Sequence, residues 1–276
     1  MANKTLYISD LDGTLLRGDQ TLSAYTVETV NRLVEQGMCF SYATARSYLT
    51  AKKVTEGLSA SVPAIVYNGS FTVEQGTGKR LCINAFTSEE ATEILNALLS
   101  HGIYPLVYAF VDGVEKYSWC PSRESRGMKI FNDTRTGDPR ENPVEDPADL
   151  YRGEIFHFTC IDEEEALLPL YEKFRDRFPC VSHHDIYSGE PWLEIQPHGA
   201  TKAEAILALK EKLGCDRLVC FGDGNNDVSM FRVADECYAM ANAQAELKAI
   251  ATAVIGSNEE DGVARFLAVH YKRSQQ

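Results

Sequence analysis

The sequence predicts an α/β protein: a doubly wound, mostly parallel, Rossmann-like core sheet interrupted by an inserted α+β domain. Strand-like apolar runs alternate with helical patterns over residues 1–83 and again over 191–276. The alternation breaks over 84–190, where hairpin and helix signals replace it. At 276 residues the chain also exceeds what one hydrophobic core usually organises. Residues 1–83 and 191–276 are therefore expected to complete one sheet, with 84–190 as the insertion.

The first strands are short runs rich in aromatic and β-branched residues, "KTLYIS", "MCFSYAT" and "AIVYNG". Between the first two, Val27, Val30, Leu33 and Val34 recur at helical spacing, so a helix is expected over 23–36, capped by Ser23 and stopped at Gly37. The insertion opens with a helix over 88–100. "YPLVYAFVDGVEKYSW" then reads as two strands about an Asp112-Gly113 turn, because that dipeptide tolerates the positive φ angles of a tight hairpin. "RTGDPRENPVEDPADL" is rich in proline and charge and reads as a linker. "GEIFHFTC", a helix over 167–178 and "CVSHHDIYSGEPWLEI" follow. The alternating pattern resumes with a helix from Lys202 and the strands "RLVCFGD", "ECYAM" and "TAVIGS". Alternating units of this kind suit a parallel sheet covered on both faces.

Bulk properties narrow the function. Hydrophobic residues make up 44% and charged residues 24%, as in ordinary globular domains, which sets aside disordered and fibrous classes. The 40 acids against 27 bases give a formal net charge of −13, which argues against non-specific nucleic-acid binding. The same field repels a phosphorylated small molecule, so such a substrate needs local cations. The start "MANKTLYISD" lacks the apolar stretch and cleavage site of a signal peptide, and no apolar run approaches the roughly 18 residues that cross a bilayer. The 8 cysteines are scattered without a C-x-x-C pair and are expected as reduced, mostly buried thiols. A cytoplasmic protein without membrane attachment is the expectation.

Open parallel sheets bind ligands beyond the carboxyl ends of their strands. That rule gathers Asp10 and Asp12 after the first strand, Thr44 and Arg46 after the second, Asn68 after the third, and Asp223, Asn226 and Asp227 in "VCFGDGNND". The last segment fails as a calcium loop, because Val228 and Ala234 stand where glycine and glutamate are needed. It fails as a dinucleotide fingerprint because Asp227 occupies the third glycine position. In "GATKAEAILALKEKLG", Thr201 and Glu204 form a capping box, which puts Lys202 on the first helical residue. A cation there opposes the helix dipole, so Lys202 is read as addressing an anion together with the helix end. Two close carboxylates repel unless water or a cation relieves them. Acids that hold a hard cation, a threonine donor, a lysine and a strand-end aspartate together describe phosphoryl transfer to a carboxylate, with Mg²⁺ as the expected ion.

The ordered series "DLDGTLL" at Asp10, "TAR" at Thr44, "NGS" at Asn68, "GATK" ending at Lys202, "GDGNNDVSM" at Gly222, "MANA" at Met240 and "SNEEDGVA" at Ser257 resembles the haloacid dehalogenase (HAD) superfamily, specifically its Cof-type phosphatase branch. The resemblance spans nearly the whole core and implies that 84–190 is a cap domain that sets substrate specificity. It implies that Asp10 attacks phosphorus and becomes an aspartyl phosphate, while Asp12 protonates the leaving oxygen and later activates water. It implies that Asp10, the backbone carbonyl of Asp12, and Asp223 hold Mg²⁺, with Asp227 supporting the metal. Thr44, Arg46, Lys202 and Asn226 are implied at the phosphate and substrate. The family's usual threonine-glycine-arginine is Thr44-Ala45-Arg46 here, so Thr44 keeps its role while that of Arg46 is open. His183, His184 and His198 are read as surface or packing residues, and Trp119 and Trp192 as core.

The function expected is Mg²⁺-dependent hydrolysis of small phosphomonoesters, sugar phosphates foremost. A phosphomutase of the same superfamily is one alternative. A signalling or binding module whose phosphoaspartate does not turn over is another, and the second carboxylate at Asp12 speaks against it.

Overall fold

The computed structural model describes residues 4–59, 61–185 and 188–274. Residues 1–3, at the start of the segment read for a signal peptide, and residues 186 and 187, inside the last strand-like run of the insertion, lie outside the described residues. The chain divides into two compact units, 1–83 with 199–276, and 84–198.

The first unit begins with β1 (Thr5–Ser9), α1 (Ala24–Glu35), β2 (Cys39–Tyr42), α2 (Tyr48–Val54), β3 (Ala64–Val66), β4 (Phe71–Val73) and β5 (Arg80–Ile83). The second contains α3 (Ser88–Ser100), β6 (Leu106–Val111), β7 (Val114–Trp119), α4 (Arg126–Asp133), β8 (Glu141–Pro143), β9 (Glu154–Ile161), α5 (Glu164–Phe174), β10 (Cys180–His184) and β11 (Pro191–Ile195). The first unit resumes with α6 (Lys202–Lys212), β12 (Arg217–Gly222), α7 (Val228–Val233), β13 (Glu236–Ala239), α8 (Ala245–Ile250), β14 (Ala253–Val254) and α9 (Gly262–Ser274).

Five parallel strands form the main sheet of the first unit in the order β14-β13-β12-β1-β2. Leu6, Ile8, Phe40, Val219 and Phe221 are buried in it, as strands covered on both faces require. Each such side chain stabilises the fold by about 1.5–3 kcal/mol. The chain runs outward from β1 to β2 on one side and from β12 to β14 on the other. The carboxyl ends of β1 and β12 therefore flank the point where the winding reverses, which is where a ligand crevice opens in such sheets.

Ser23 caps α1 by accepting from Thr26 N, and Gly37 leaves it at φ +97°. "AIVYNG" departs from the expectation. Its strand, β3, meets the main sheet through a bridge between Ala43 and Ile65 and pairs antiparallel with β4, which pairs with β5. The reason is local: Tyr67 and Asn68 both adopt left-handed backbone (φ +49° and +51°), which folds the chain back on itself.

In the second unit the sheet order is β10-β11-β9-β6-β7-β8. One face carries α3 and α5, whose Ile94, Leu95, Leu98, Leu167, Leu170 and Phe174 pack on Val107, Phe158 and Leu193. Two boundaries differ from the sequence reading. Residues 191–198, expected with the core, belong here, because β11 pairs antiparallel with both β9 and β10. The proline-rich linker contributes β8, parallel to β7. The helix expected over 167–178 is Glu164–Phe174, with Pro169 inside it, and the last four residues form a turn closed by Phe178 N on Phe174 O. Trp119 stacks on Tyr117, Trp192 meets Phe131 edge-on, and the exposed His198 lies against Phe178. Among the described residues no helix is long and apolar enough to cross a membrane.

Candidate active site

The site begins where β1 ends. Asp10 N donates to Phe221 O (2.9 Å), so Asp10 still sits in the ladder when the chain turns away. The turn Leu11–Leu15 contains Asp12 in extended conformation and Gly13 at φ +71°. A Cβ on Gly13 would stand 2.3 Å from Asp223 Oδ2, so glycine is required both for the backbone angle and for the approach of the β12 loop. Thr14, one residue on, donates through Oγ1 to Asp223 Oδ1 (2.9 Å).

Lys202 lies at the first turn of α6 and is 1% exposed. Its Nζ donates to Asp10 Oδ1 (2.6 Å) and to Asp227 Oδ1 (2.7 Å). These two carboxylates offset the unfavourable position of a cation at a helix amino end. Asp227 is fully buried, and its Oδ2 accepts from Asp223 N (3.0 Å) and Gly224 N (3.1 Å). Asp227 thereby ties the loop after β12 to Lys202. Gly69, at φ +115°, lets that loop's neighbour close in: a Cβ there would lie 2.4 Å from Thr201 O, just before Lys202.

Asp10, Asp223 and Asp227 can each bring an oxygen within 4.8 Å of the others. Burial pushes the Asp10 carboxyl well up, and Asp227, Asp223 and Asp12 add to the rise while Lys202 opposes it. Burial, then Asp227, pushes Asp223 up to about 7. Burial alone would lower the Lys202 ammonium, but Asp10 and Asp227 outweigh it and hold its pKa above the ordinary value. Ionised together, Asp10, Asp223 and Asp227 would carry more negative charge than one ammonium balances, which, after burial, is what drives the Asp10 and Asp223 carboxyls up. A hard divalent cation fits that donor set, since oxygen ligands and excess charge are what such an ion needs.

Thr44 is buried after β2, where its N donates to Ile65 O (3.0 Å) and its Oγ1 accepts from Arg46 N (3.1 Å). Arg46, expected at the phosphate, is engaged with Asp12: Nε donates to Asp12 Oδ2 (2.7 Å) and Nη2 to Asp12 Oδ1. The same Nη2 donates to Gln20 Oε1 (2.8 Å). Asn226 Nδ2 donates to Asn68 Oδ1 (3.4 Å), joining the third strand's turn to the β12 loop. The residues expected at the strand ends are thus brought together by hydrogen bonds within the first unit.

Several contributors were given no role by the sequence. Asn242 Nδ2 donates to Gly13 O (2.8 Å), and Asn242 Oδ1 accepts from Asn258 N (3.1 Å). Asn258 Nδ2 donates to Leu16 O (3.0 Å), and Asp261 grips Arg17 through both oxygens (3.1 Å each). "MANA" and "SNEEDGVA" therefore hold the loop that follows Asp10. Their asparagines were the available clue.

A buried strand-end carboxylate joined to an ammonium, with further acids beside it, is an arrangement that can serve phosphoryl transfer in an α/β enzyme. The haloacid dehalogenase-like hydrolase profile matches residues 7–267, and the chain belongs to that family, in its Cof-type branch. Its curated relatives include a 5-amino-6-(5-phospho-D-ribitylamino)uracil phosphatase of Bacillus subtilis, 30% identical over 283 residues, covering 94% of this chain and 95% of the relative. A pyridoxal phosphate phosphatase of Escherichia coli is 26% identical over 277 residues, covering 95% and 96%. A solved haloacid dehalogenase-like hydrolase of B. subtilis shares the fold with a TM-score of 0.78 at 21% identity, covering 96% of this chain and 99% of that one. The protein is a phosphatase.

Proposed function

We propose that this phosphatase hydrolyses small phosphomonoesters, sugar and sugar-alcohol phosphates foremost, in the cytoplasm, through an aspartyl phosphate on Asp10 and with Mg²⁺ as cofactor. The observation that carries the reading is Lys202 Nζ bridging Asp10 and Asp227 at a buried strand end, with Asp223 within metal-ligand reach. The relatives named above support the substrate class, since a phosphoribitylamino-uracil and pyridoxal phosphate are both small phosphomonoesters.

In this reading Lys202 fixes the plane of the Asp10 carboxylate, and the other carboxylate oxygen attacks phosphorus. The bond from phosphorus to the leaving oxygen breaks as Asp12 passes its proton to that oxygen. Asp12, now ionised, takes a proton from water attacking the phosphoaspartate, and the bond to Asp10 breaks to release phosphate. Lys202 and Thr44 stabilise charge on the phosphoryl oxygens, and Asn226 orients the loop beside them. Asp10, Asp223 and the Asp12 carbonyl would hold Mg²⁺, with Asp227 in support; when bound, the ion supplies positive charge against the carboxylates and the phosphoryl group. The unit 84–198 serves as the cap that sets specificity for the alcohol portion, as the family resemblance implies.

A screen of phosphorylated metabolites for phosphate release, with Mg²⁺ and with EDTA, tests the reading. Release from a hexose or pentitol phosphate without isomer formation is expected, lost in EDTA and lost in a folded Asp10→Asn variant. Metal-independent turnover, or substantial hydrolysis by Asp10→Asn, contradicts it.

A further inference from the structure

Gln20 lies outside the strand-end motifs, yet its backbone is in the left-handed region (φ +63°), where a residue with a Cβ is rarely found. The turn that holds it there is tied at several points. Gln20 N donates to Arg17 O and Arg17 N to Thr21 O, both at 2.9 Å. Asp19 Oδ1 accepts from Thr21 N (3.0 Å) and Thr21 Oγ1 (2.7 Å). Glu259 Oε1 accepts from Gly18 N (2.7 Å), and Arg17 is held by Asp261. The outcome is that the Gln20 carboxamide oxygen meets Arg46 Nη2, the same nitrogen that binds Asp12 Oδ1.

We infer that Gln20 is a positioning residue for the proton-transfer carboxylate of Asp12, acting through Arg46. A guanidinium fork has fixed planar geometry, so orienting it orients the carboxylate it grips bidentately. Arg46 approaches from the β2 end, and its Nε and Nη2 occupy both Asp12 oxygens. Gln20 Oε1 adds a third restraint, on the Nη2 that also donates to Asp12 Oδ1, and so limits pivoting of the fork about the Asp12 contact. Left-handed backbone at a polar, non-glycine residue is a local cost that the chain keeps where the side chain's direction matters. The inference rests on the reading of Asp12 as the proton donor to the leaving group.

The test compares kcat/KM for a poor leaving group, ribitol 5-phosphate, with that for a good one, p-nitrophenyl phosphate, in the full-length protein with Mg²⁺. Only the poor leaving group needs its proton in the phosphoryl-transfer step. Asp12→Asn is expected to lose far more on ribitol phosphate than on the aryl ester. Gln20→Ala is expected to show the same signature in smaller form, about tenfold on ribitol phosphate and under about twofold on the aryl ester. Gln20→Glu, which keeps an acceptor for Nη2, is expected to restore most of the loss. Gln20→Gly removes the side chain while favouring the left-handed backbone, and so reports on the side chain even where Gln20→Ala disturbs the turn. If Asp12→Asn shows the signature and both Gln20→Ala and Gln20→Gly lose equally on the two substrates or not at all, the role of Gln20 is overturned alone. If Asp12→Asn itself loses equally on both, the proton-donor reading falls and the inference with it.

Discussion

Lys202 Nζ lies 2.6 Å from Asp10 Oδ1 across 192 positions of sequence, and both side chains are buried. A charge taken out of water at that depth is tolerable only when it is paired and hydrogen-bonded. Here the ammonium is divided between Asp10 and Asp227, so one contact joins the first strand, the α6 helix and the loop after β12.

Removing that ammonium should therefore act on stability and on activity together. Lys202→Met leaves two buried carboxylates without their cation, and the expected loss of stability is about 3 kcal/mol, on the scale of a broken buried pair. Turnover should fall at least about 100-fold, as when a charge-stabilising donor is deleted. Urea denaturation and phosphate-release assays check the two parts, and a variant that keeps both would remove the ionic role from Lys202.

Gly13→Ala meets two obstacles. Its φ of +71° is costly for alanine by about 1 kcal/mol, and the new Cβ would press on Asp223 Oδ2 from 2.3 Å. Displacing Asp223 should weaken cation binding more than it weakens the fold. Melting curves with and without Mg²⁺ read the two parts separately: the metal-free Tm falls with the backbone and steric cost, and the Mg²⁺-dependent rise in Tm shrinks in addition.

The charge balance of the rim predicts a pH dependence. The Asp223 carboxyl is pushed from 3.8 to about 7 in the folded protein, so between those values the folded state binds more proton than the unfolded one. Stability from this group is fully present below about pH 4 and is lost as pH rises to about 7. In EDTA, Asp223→Asn should flatten that part of the Tm profile. Mg²⁺ competes with the proton, so its stabilising effect should grow over the same interval. Identical profiles for the two proteins would remove Asp223 as the group responsible.

Gly69→Ala tests the seating of α6. The added Cβ would meet Thr201 O at 2.4 Å, and a backbone oxygen has little freedom to yield. Separation of the turn after β3 from the start of α6 should cost about 2 kcal/mol and lower turnover, because Lys202 moves with the helix. Unchanged activity with lowered stability would show that Lys202 holds its place independently of this contact.

The identities of Asp10, Asp12, Thr44, Lys202 and Asp223 as strand-end or helix-start residues were legible because each follows a short apolar run or a capping box, and such signals are local. The hairpin at Asp112-Gly113 was legible for the same reason: Asp112 and Gly113 both take positive φ. What stayed hidden depends on pairing. β8 lies in a proline-rich stretch and is held by β7, while β11, inside a run already read as strand-like, joins the second unit because β9 and β10 claim it. Strand membership of that kind is decided by partners and not by propensity.

By itself, the sequence determined the α/β class, the parallel sheet, which acids stand at the carboxyl ends of its strands, and which lysine opens a helix. Apolar periodicity and helix caps are properties of a few neighbouring residues, so they survive without the rest of the chain. Only the tertiary structure decided that Arg46 turns to Asp12 and Gln20, that Asp227 is spent on Lys202 and a loop, and that Asn242 and Asn258 hold the turn after Asp10. Those choices join residues as much as 242 positions apart, and hydrogen bonds of that range are set by where the sheet brings its strand ends.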